Sequence, residues 1–306
     1  MSNLAPALPP LDITRAPEGG AVGPVQSGWR LAVREFTHNR LAVIGLAMLV
    51  FFVVFCFAGP LLYHGNVLNS DLSSSNFSPG AGHPLGTNEQ GFDELGLLMK
   101  GGQAALEVGF FAAVIGIVIG AIYGSVAGLV GGLLDSVMMR VVDVFLSIPF
   151  LFVVLIIAVR YGASVLGLSL IIGAYFWLVP ARLVRGEVLT LRERDFISAA
   201  RIAGATRRRL IARHLIPNAF GVMIVNVTFN VADAILTVAA LGFLGYGLHF
   251  PNQDWGDMLS NGLTYMQDGY WWLIFPVGAC IVLVVMACNL IGDALRDSLD
   301  VRLRRR

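Results

Sequence analysis

Long apolar runs separated by short charged segments set the pattern of this chain. Crossing the hydrocarbon layer of a bilayer takes about 20 predominantly apolar residues in a helix. Six stretches reach that length, over 41–62, 106–130, 137–159, 165–183, 220–241 and 272–291. The fourth is the least regular, with Pro180 near its close. Lipid offers no hydrogen-bond partner to an open backbone, so each run is expected to be a helix. The pattern therefore predicts an all-α membrane protein of six transmembrane helices.

The segments between the runs divide the chain. Residues 1–27 are rich in Pro, Gly, Ala and Ser without apolar periodicity, and are expected to form a disordered cytoplasmic tail. They are too polar for a signal peptide. Residues 28–63 form an N-terminal segment in which the first span follows a basic flank of Arg30, Arg34 and Arg40. Residues 64–105 form an extracytoplasmic segment, 106–295 a core of five spans with a long loop at 191–217, and 296–306 a basic cytoplasmic tail.

Charge placement orients the spans. With the N-terminus in the cytoplasm, 19 of the 21 Lys and Arg residues fall inside, and only Lys100 and Arg160 fall outside. The opposite topology inverts that ratio, so both termini are expected to be cytoplasmic in a plasma (inner) membrane. The external segments carry acids instead: Asp71, Glu89, Asp93 and Glu94 in the first, and Asp254, Asp257 and Asp268 in the second. Tyr270, Trp271 and Trp272 close the second, a cluster suited to the membrane interface.

Composition narrows the chemistry. Hydrophobic residues make up 56% and charged residues 13%, against about a quarter charged in soluble domains. The arginines flank apolar segments, so topology accounts for them and nucleic acid is not an expected partner. Cys56, Cys280 and Cys288 lie inside apolar runs without metal-ligand spacing, and the histidines are scattered, so no metal site is expected. A phosphate-cradling P-loop needs GxxxxGK[ST]; the single lysine, Lys100, has Met before it and Gly after it. GxSxG and HExxH are absent from the sequence, so this chain is expected to be non-catalytic.

Three features point to mechanism. The second run places Gly116, Gly120, Gly124 and Gly128 at steps of four, extended by Ala112 and Gly132, close to one helix face. A neighbouring helix can approach such a face closely, either as packing within the subunit or as a sliding or dimer contact. The fifth run places Asn226, Asn230, Asp233 and Thr237 at steps of four, three and four. An ionisable residue at membrane depth faces a water-filled cavity or a polar partner, so this stripe lines a pathway or builds an interhelical hydrogen-bond ladder. The third feature is the basic stretch LRERDFISAARIAGATRRRLIARHLIPN over 191–218. Phe196, Ala199, Ala200 and Ala203 share one face of a short helix, Gly204 permits a sharp turn, and Pro217 suits the start of the fifth span. Such a loop is built to fit another protein.

This stretch resembles the cytoplasmic signature of integral-membrane subunits of ABC importers, in particular the C-type permeases of the dipeptide, oligopeptide and nickel family. That signature reads Glu-Ala-Ala, three residues, Gly, nine residues, then an apolar stretch ending in Pro. Ala199, Ala200, Gly204 and Pro217 stand at the matching positions, with Arg201 inside the motif and His214 in the peptide-type Arg213–Asn218 stretch. Ser198 replaces the motif's acid. The resemblance extends from about Phe36 to the C-terminus through His38-Asn39-Arg40, His83-Pro84-Leu85-Gly86-Thr87, Arg182-Leu183-Val184-Arg185-Gly186-Glu187, Trp255-Gly256 and Asn289-Leu290-Ile291-Gly292-Asp293. Departures fall toward the outer face: Gly96-Leu97 and Gln103 replace a family Ser-Arg and a second Arg, and Val238 a family Glu.

The resemblance implies an ABC type I importer permease fold and a half share of a translocation pathway for di- or oligopeptides. It implies a B-type permease partner, two ABC ATPase subunits docked beneath, and an extracytoplasmic substrate-binding protein. No cofactor is expected on this chain; ATP and Mg belong to the ATPase subunits. Ser198–Gly204 are expected to couple hydrolysis to the spans, with Arg201, Arg207, Arg208, Arg209 and Arg213 adding charge contacts. A permease for nickel or another small solute is the nearest alternative. An ATP-independent secondary transporter, with Asp233 as an ion-coupling site, leaves the coupling-like loop unexplained.

Overall fold

The computed structural model describes residues 36–248 and 251–304. The expected disordered tail over 1–27, the flank residues Arg30 and Arg34, and the last two residues of the basic tail lie outside them. The regular structure of the described residues is helical, apart from two isolated bridges at Gly80–His83 and Thr87–Asp93 in the irregular segment after the first helix. The helices are α1 (Arg40–Leu62), α2 (Glu94–Val130), α3 (Gly132–Leu146), α4 (Phe150–Tyr161), α5 (Val165–Phe176) and α6 (Leu178–Leu191). They continue as α7 (Asp195–Ile202), α8 (Arg207–Leu210), α9 (Ile216–Phe243), α10 (Trp255–Thr264) and α11 (Phe275–Arg304).

α2 is the axis of the fold. Its 37 residues extend about 55 Å, well beyond the roughly 30 Å of hydrocarbon a span must cross. One end packs with α1, α9, α10 and α11 around Phe52, Leu98, Ile235, Trp255 and Val284. Its middle packs with α4, α5 and α9 around Val108, Val154, Leu168, Ile172 and Val238. A third cluster of Val184, Val188, Ile197, Leu210 and Leu215 joins α6 to the loop that follows. α1 buries only a narrow stripe of Ala42, Gly45, Phe52 and Cys56, and leaves Leu41, Ile44, Val50 and Phe51 exposed, as a lipid-facing outer helix would.

The six apolar runs all fall on helix, but two of the expected single helices are bent pairs. The third divides into α3 and α4, which meet at 75°. Pro149 is the cause: it lacks an N–H and disfavours helical backbone at Ile148. The fourth divides into α5 and α6, bent by 40° beside Trp177. Pro180 does not close that run. It sits in the first turn of α6, where no intrahelical N–H is required, and the helix continues to Leu191. With each pair counted as one span, the described residues hold up to six helices long and apolar enough to cross a membrane.

Two further boundaries move. α2 starts at Glu94, behind the Asp93 cap and twelve residues before the apolar run, and its Gly101 and Gly102 admit the indole of Trp255. A Cβ on Gly102 would lie 2.7 Å from that ring. The fifth span also reaches back, since α8, a π-helical turn over Ile211–Leu215, and α9 form one helix from Arg207 to Phe243. Pro217 therefore lies within a continuous helix, two residues past its π segment, instead of at a separate start. A wider turn accommodates a residue that offers no N–H.

Candidate coupling surface and translocation elements

The 191–217 loop is a compact helical elbow. α7 turns its Ile197 side inward onto Val184, Val188, Leu210 and Leu215. Phe196, Ser198, Ala199, Arg201 and Ala203 are exposed and Ala200 is half-buried; Ile202, 89% exposed, projects furthest. Phe196, Ala199 and Ala203 thus point away from the subunit, while Ala200 packs against the cluster beneath. Gly204 ends α7 with φ +81°, the left-handed conformation glycine adopts without strain. Its N–H donates to Arg201 O at 2.9 Å, and the Ala205 N–H to Ala200 O at 3.0 Å, a Schellman closure that reverses the chain. Thr206 then caps α8 by accepting from the Arg209 N–H at 3.3 Å.

The two arms of the elbow touch through the rings of Phe196 and His214, 6.4 Å apart between centroids. Asn218 donates to His214 O at 2.6 Å across the π turn. Arg201, Arg207, Arg208, Arg209 and Arg213 are all exposed and Pro217 lies among them at the surface. The elbow thus presents exposed apolar side chains and five exposed arginines.

The glycine ridge of α2 contacts helices of the same chain. Gly116 lies under the backbone of Phe176; a Cβ there would come within 2.9 Å of Phe176 Cβ. Gly120 meets Trp177 and Pro180, Gly124 meets Ala181 and Arg185, and Gly128 meets Val188. The ridge runs along α5 and α6, so the helix that leads into the elbow lies directly on the axis helix.

The polar stripe of α9 splits. Asn230 and Thr237 are buried, while Asp233 is exposed. Asn226 donates to Val222 O and Thr237 to Asp233 O, both within α9. Asn230 alone of the four reaches another helix, at 3.5 Å from Phe176 O. Within this chain the stripe therefore makes one bond between helices, and among the described residues Asp233 has no ion pair.

The corner where the 63–93 segment meets α10 carries its own polar framework. Asp93 caps α2 by accepting from the Gly96 N–H at 2.8 Å, and its second oxygen receives the Tyr63 hydroxyl at 2.7 Å. His83 Nδ1 lies 2.9 Å from that same oxygen. Asp254 caps α10, accepting from the N–H groups of Leu248 and Asp257 at 2.7 and 2.9 Å. Burial raises the Asp254 carboxyl to about 6, with the backbone N–H bonds opposing. The neighbouring Trp255 donates to Leu98 O at 2.9 Å, and Trp272 to Thr87 O at 3.3 Å. The sequence placed Asp93 and Asp254 only among external acids; the signal of their role is the residue type directly before an apolar helix start. Among the described residues no group of three or more His, Cys, Asp and Glu is placed to hold a metal ion.

Residues 116–305 match the model of the binding-protein-dependent transport system inner membrane component, and 27–79 match that of the N-terminal TM domain of oligopeptide transport permease C. The chain belongs to this family of transport permeases. Oligopeptide transport system permease protein OppC of Escherichia coli K12 is 40% identical over 281 residues, 91% of this permease and 93% of the relative. Dipeptide transport system permease protein DppC of Bacillus subtilis is 38% identical, over 92% of this permease and 86% of the relative. OppC of Mycobacterium tuberculosis H37Rv is 37% identical over 88% and 93%. A solved structure of the MetNI methionine ABC transporter in inward-facing conformations superposes with a TM-score of 0.52 at 23% identity. That likeness covers 66% of this permease and 96% of the other chain, and shows the fold alone.

Proposed function

We propose that this permease is the C-type membrane subunit of an ATP-driven ABC importer of di- and oligopeptides. The observation that carries the coupling role is the elbow. A rigid, glycine-closed α7 turns exposed apolar side chains away from its own subunit, flanked by exposed arginines and set between α6 and the helix that runs unbroken into the fifth span. Such a surface suits a groove on a cytoplasmic ATPase. Closure of the ATPase pair pushes α7, and α6 and the α8–α9 helix carry the push to the spans as rigid bodies.

In this reading both termini are cytoplasmic, and a B-type permease completes the pathway. ATP and Mg bind to two partner ATPase subunits, and a substrate-binding protein delivers peptide to the outer corner. Ser198, at the position of the family acid, leaves the contact with the ATPase to Phe196, Ile202 and the arginines. Asp233 and Asn226 line the route between the two permeases. The test is uptake of labelled peptide into proteoliposomes holding the permeases and ATPases, with binding protein added outside. Uptake that requires enclosed ATP is expected; uptake driven by an ion gradient alone would overturn the reading.

A further inference from the structure

α3 is a rod with a hinge at each end and little packing to hold it. Only Asp135 and Val142 of its 15 residues are buried. Gly131 and Gly132, at φ +70° and +63°, join it to α2, and no atom of the chain stands within 4 Å of where a Gly132 Cβ would be. At its other end lies the 75° bend before Pro149.

What fixes α3 to the rest of the chain is charge and hydrogen bonding. The Arg185 guanidinium grips the Asp135 carboxylate with two bonds, Nε to Oδ1 at 2.5 Å and Nη2 to Oδ2 at 2.7 Å. Arg182 pairs with Asp143. Tyr123 donates to Met138 O at 3.0 Å, and Tyr175 to Phe145 O and Ile148 O at 2.9 and 2.7 Å. Beside the first pair, Arg192 donates to Gly128 O at 3.0 Å, closing the end of α2. The order of the pairs makes α3 and α6 antiparallel. The two acids are about 12 Å apart along their helix and the two arginines about 4.5 Å along theirs, so the long arginines converge from one short stretch of α6. A bidentate Arg–carboxylate pair fixes orientation as well as distance, and does so more strongly away from bulk water.

Three residues separate the end of α6 from the start of the elbow helix α7. We propose that Asp135–Arg185 and Asp143–Arg182 form a clamp that makes α3 travel with α6. On this account the clamp transmits motion of the elbow to the bent third span and stays closed through the transport cycle. The four side chains are positioning residues: they act on the route through the helices they hold. The inference rests on the coupling role of the elbow, and the experiment separates the two.

The clamp is tested on the full complex in liposomes, by the ratio of hydrolysis with peptide-loaded binding protein to hydrolysis without it. Asp135→Asn is expected to bring the stimulated rate down to the basal one while the subunits still assemble. Asp143→Asn, in the more exposed pair, is expected to do so in part. The exchange of Asp135→Arg with Arg185→Asp is expected to restore stimulation. In a background with Cys56, Cys280 and Cys288 replaced, Asp135→Cys with Arg185→Cys is expected to be uncoupled until a short bifunctional thiol reagent bridges the pair. Recovery on bridging is the result that a simple packing role does not produce. Full stimulation in Asp135→Asn, or no recovery in the bridged protein, overturns the clamp. If Ala199→Arg on the elbow uncouples and Asp135→Asn does not, the clamp fails and the coupling role stands. If Ala199→Arg has no effect, the coupling role itself fails.

Discussion

The hydroxyl of Tyr63 donates to the Asp93 carboxylate at 2.7 Å and so ties the end of α1 to the start of α2. Asp93 has no exposure, and the same carboxylate caps α2 and faces His83. Loss of a helix cap costs about 1 kcal/mol, and loss of a hydrogen bond to a charged group about 1.5–3 kcal/mol. Asp93→Ala is therefore expected to lower stability by about 3 kcal/mol, and Tyr63→Phe by about 1.5 kcal/mol. Unfolding of the two variants in detergent, followed by intrinsic fluorescence, checks the order. Equal losses would remove Asp93 from the centre of this corner.

The glycine ridge makes a contrast within one helix pair. A side chain on Gly124 would enter the backbone of Ala181 and Arg185, whereas Gly186, on the α6 side of the same pair, has open space around it. Gly124→Leu is expected to cost at least 2–3 kcal/mol, roughly the overpacking range, or to prevent assembly. Gly186→Ala is expected to gain about 0.5–1 kcal/mol from helix propensity. Melting temperatures of the purified subunit distinguish these; tolerance of leucine at 124 would mean that α2 and α6 do not pack this closely.

Asp254 predicts a pH dependence with a definite sign. Its carboxyl is raised by burial from 3.8 to about 6 in the folded state, so the protonated form favours folding. That contribution is fully present below about pH 4 and is lost as pH rises through about 6, where the buried group ionises. The shift corresponds to about 3 kcal/mol as an order of magnitude. Compared with Asp254→Asn, wild type is expected to lose melting temperature between pH 4 and pH 6. Parallel pH profiles for the two proteins would show that the carboxyl ionises without cost.

On α9 the exposed and buried polar residues have opposite expected effects. Asp233→Asn leaves every described contact in place and is expected to change stability by less than about 0.5 kcal/mol while lowering peptide uptake. Asn230→Ala removes a buried donor to Phe176 O and is expected to cost about 1 kcal/mol. Unchanged uptake in Asp233→Asn would take that residue off the route.

How much of this was legible beforehand follows from the range of each signal. The apolar runs were legible because hydrocarbon thickness imposes a length, and the short-step glycines of α2 because a helix face repeats every three or four residues. The bend at Ile148–Pro149 was not read as a bend, since the residues on both sides of it are apolar and together long enough for one span. The early start of α2 was hidden by Lys100, Gly101 and Gly102, whose composition makes sense only with Trp255 lying against it from more than 150 residues away. Asp135 was passed over for the same reason: its partner Arg185 is 50 residues distant, and no local period connects them. The turn at Gly204 is local, and residue type alone indicated it.

The central claim concerns the elbow, and stimulated ATP hydrolysis tests it most directly. The complete importer is reconstituted with wild-type permease, with Gly204→Arg at the turn, and with Ala199→Arg on the exposed face. The account predicts that peptide-loaded binding protein accelerates hydrolysis in wild type, and that both variants assemble yet lose the acceleration. Wild-type acceleration in both variants, or a permease that associates with no ATPase, would contradict it.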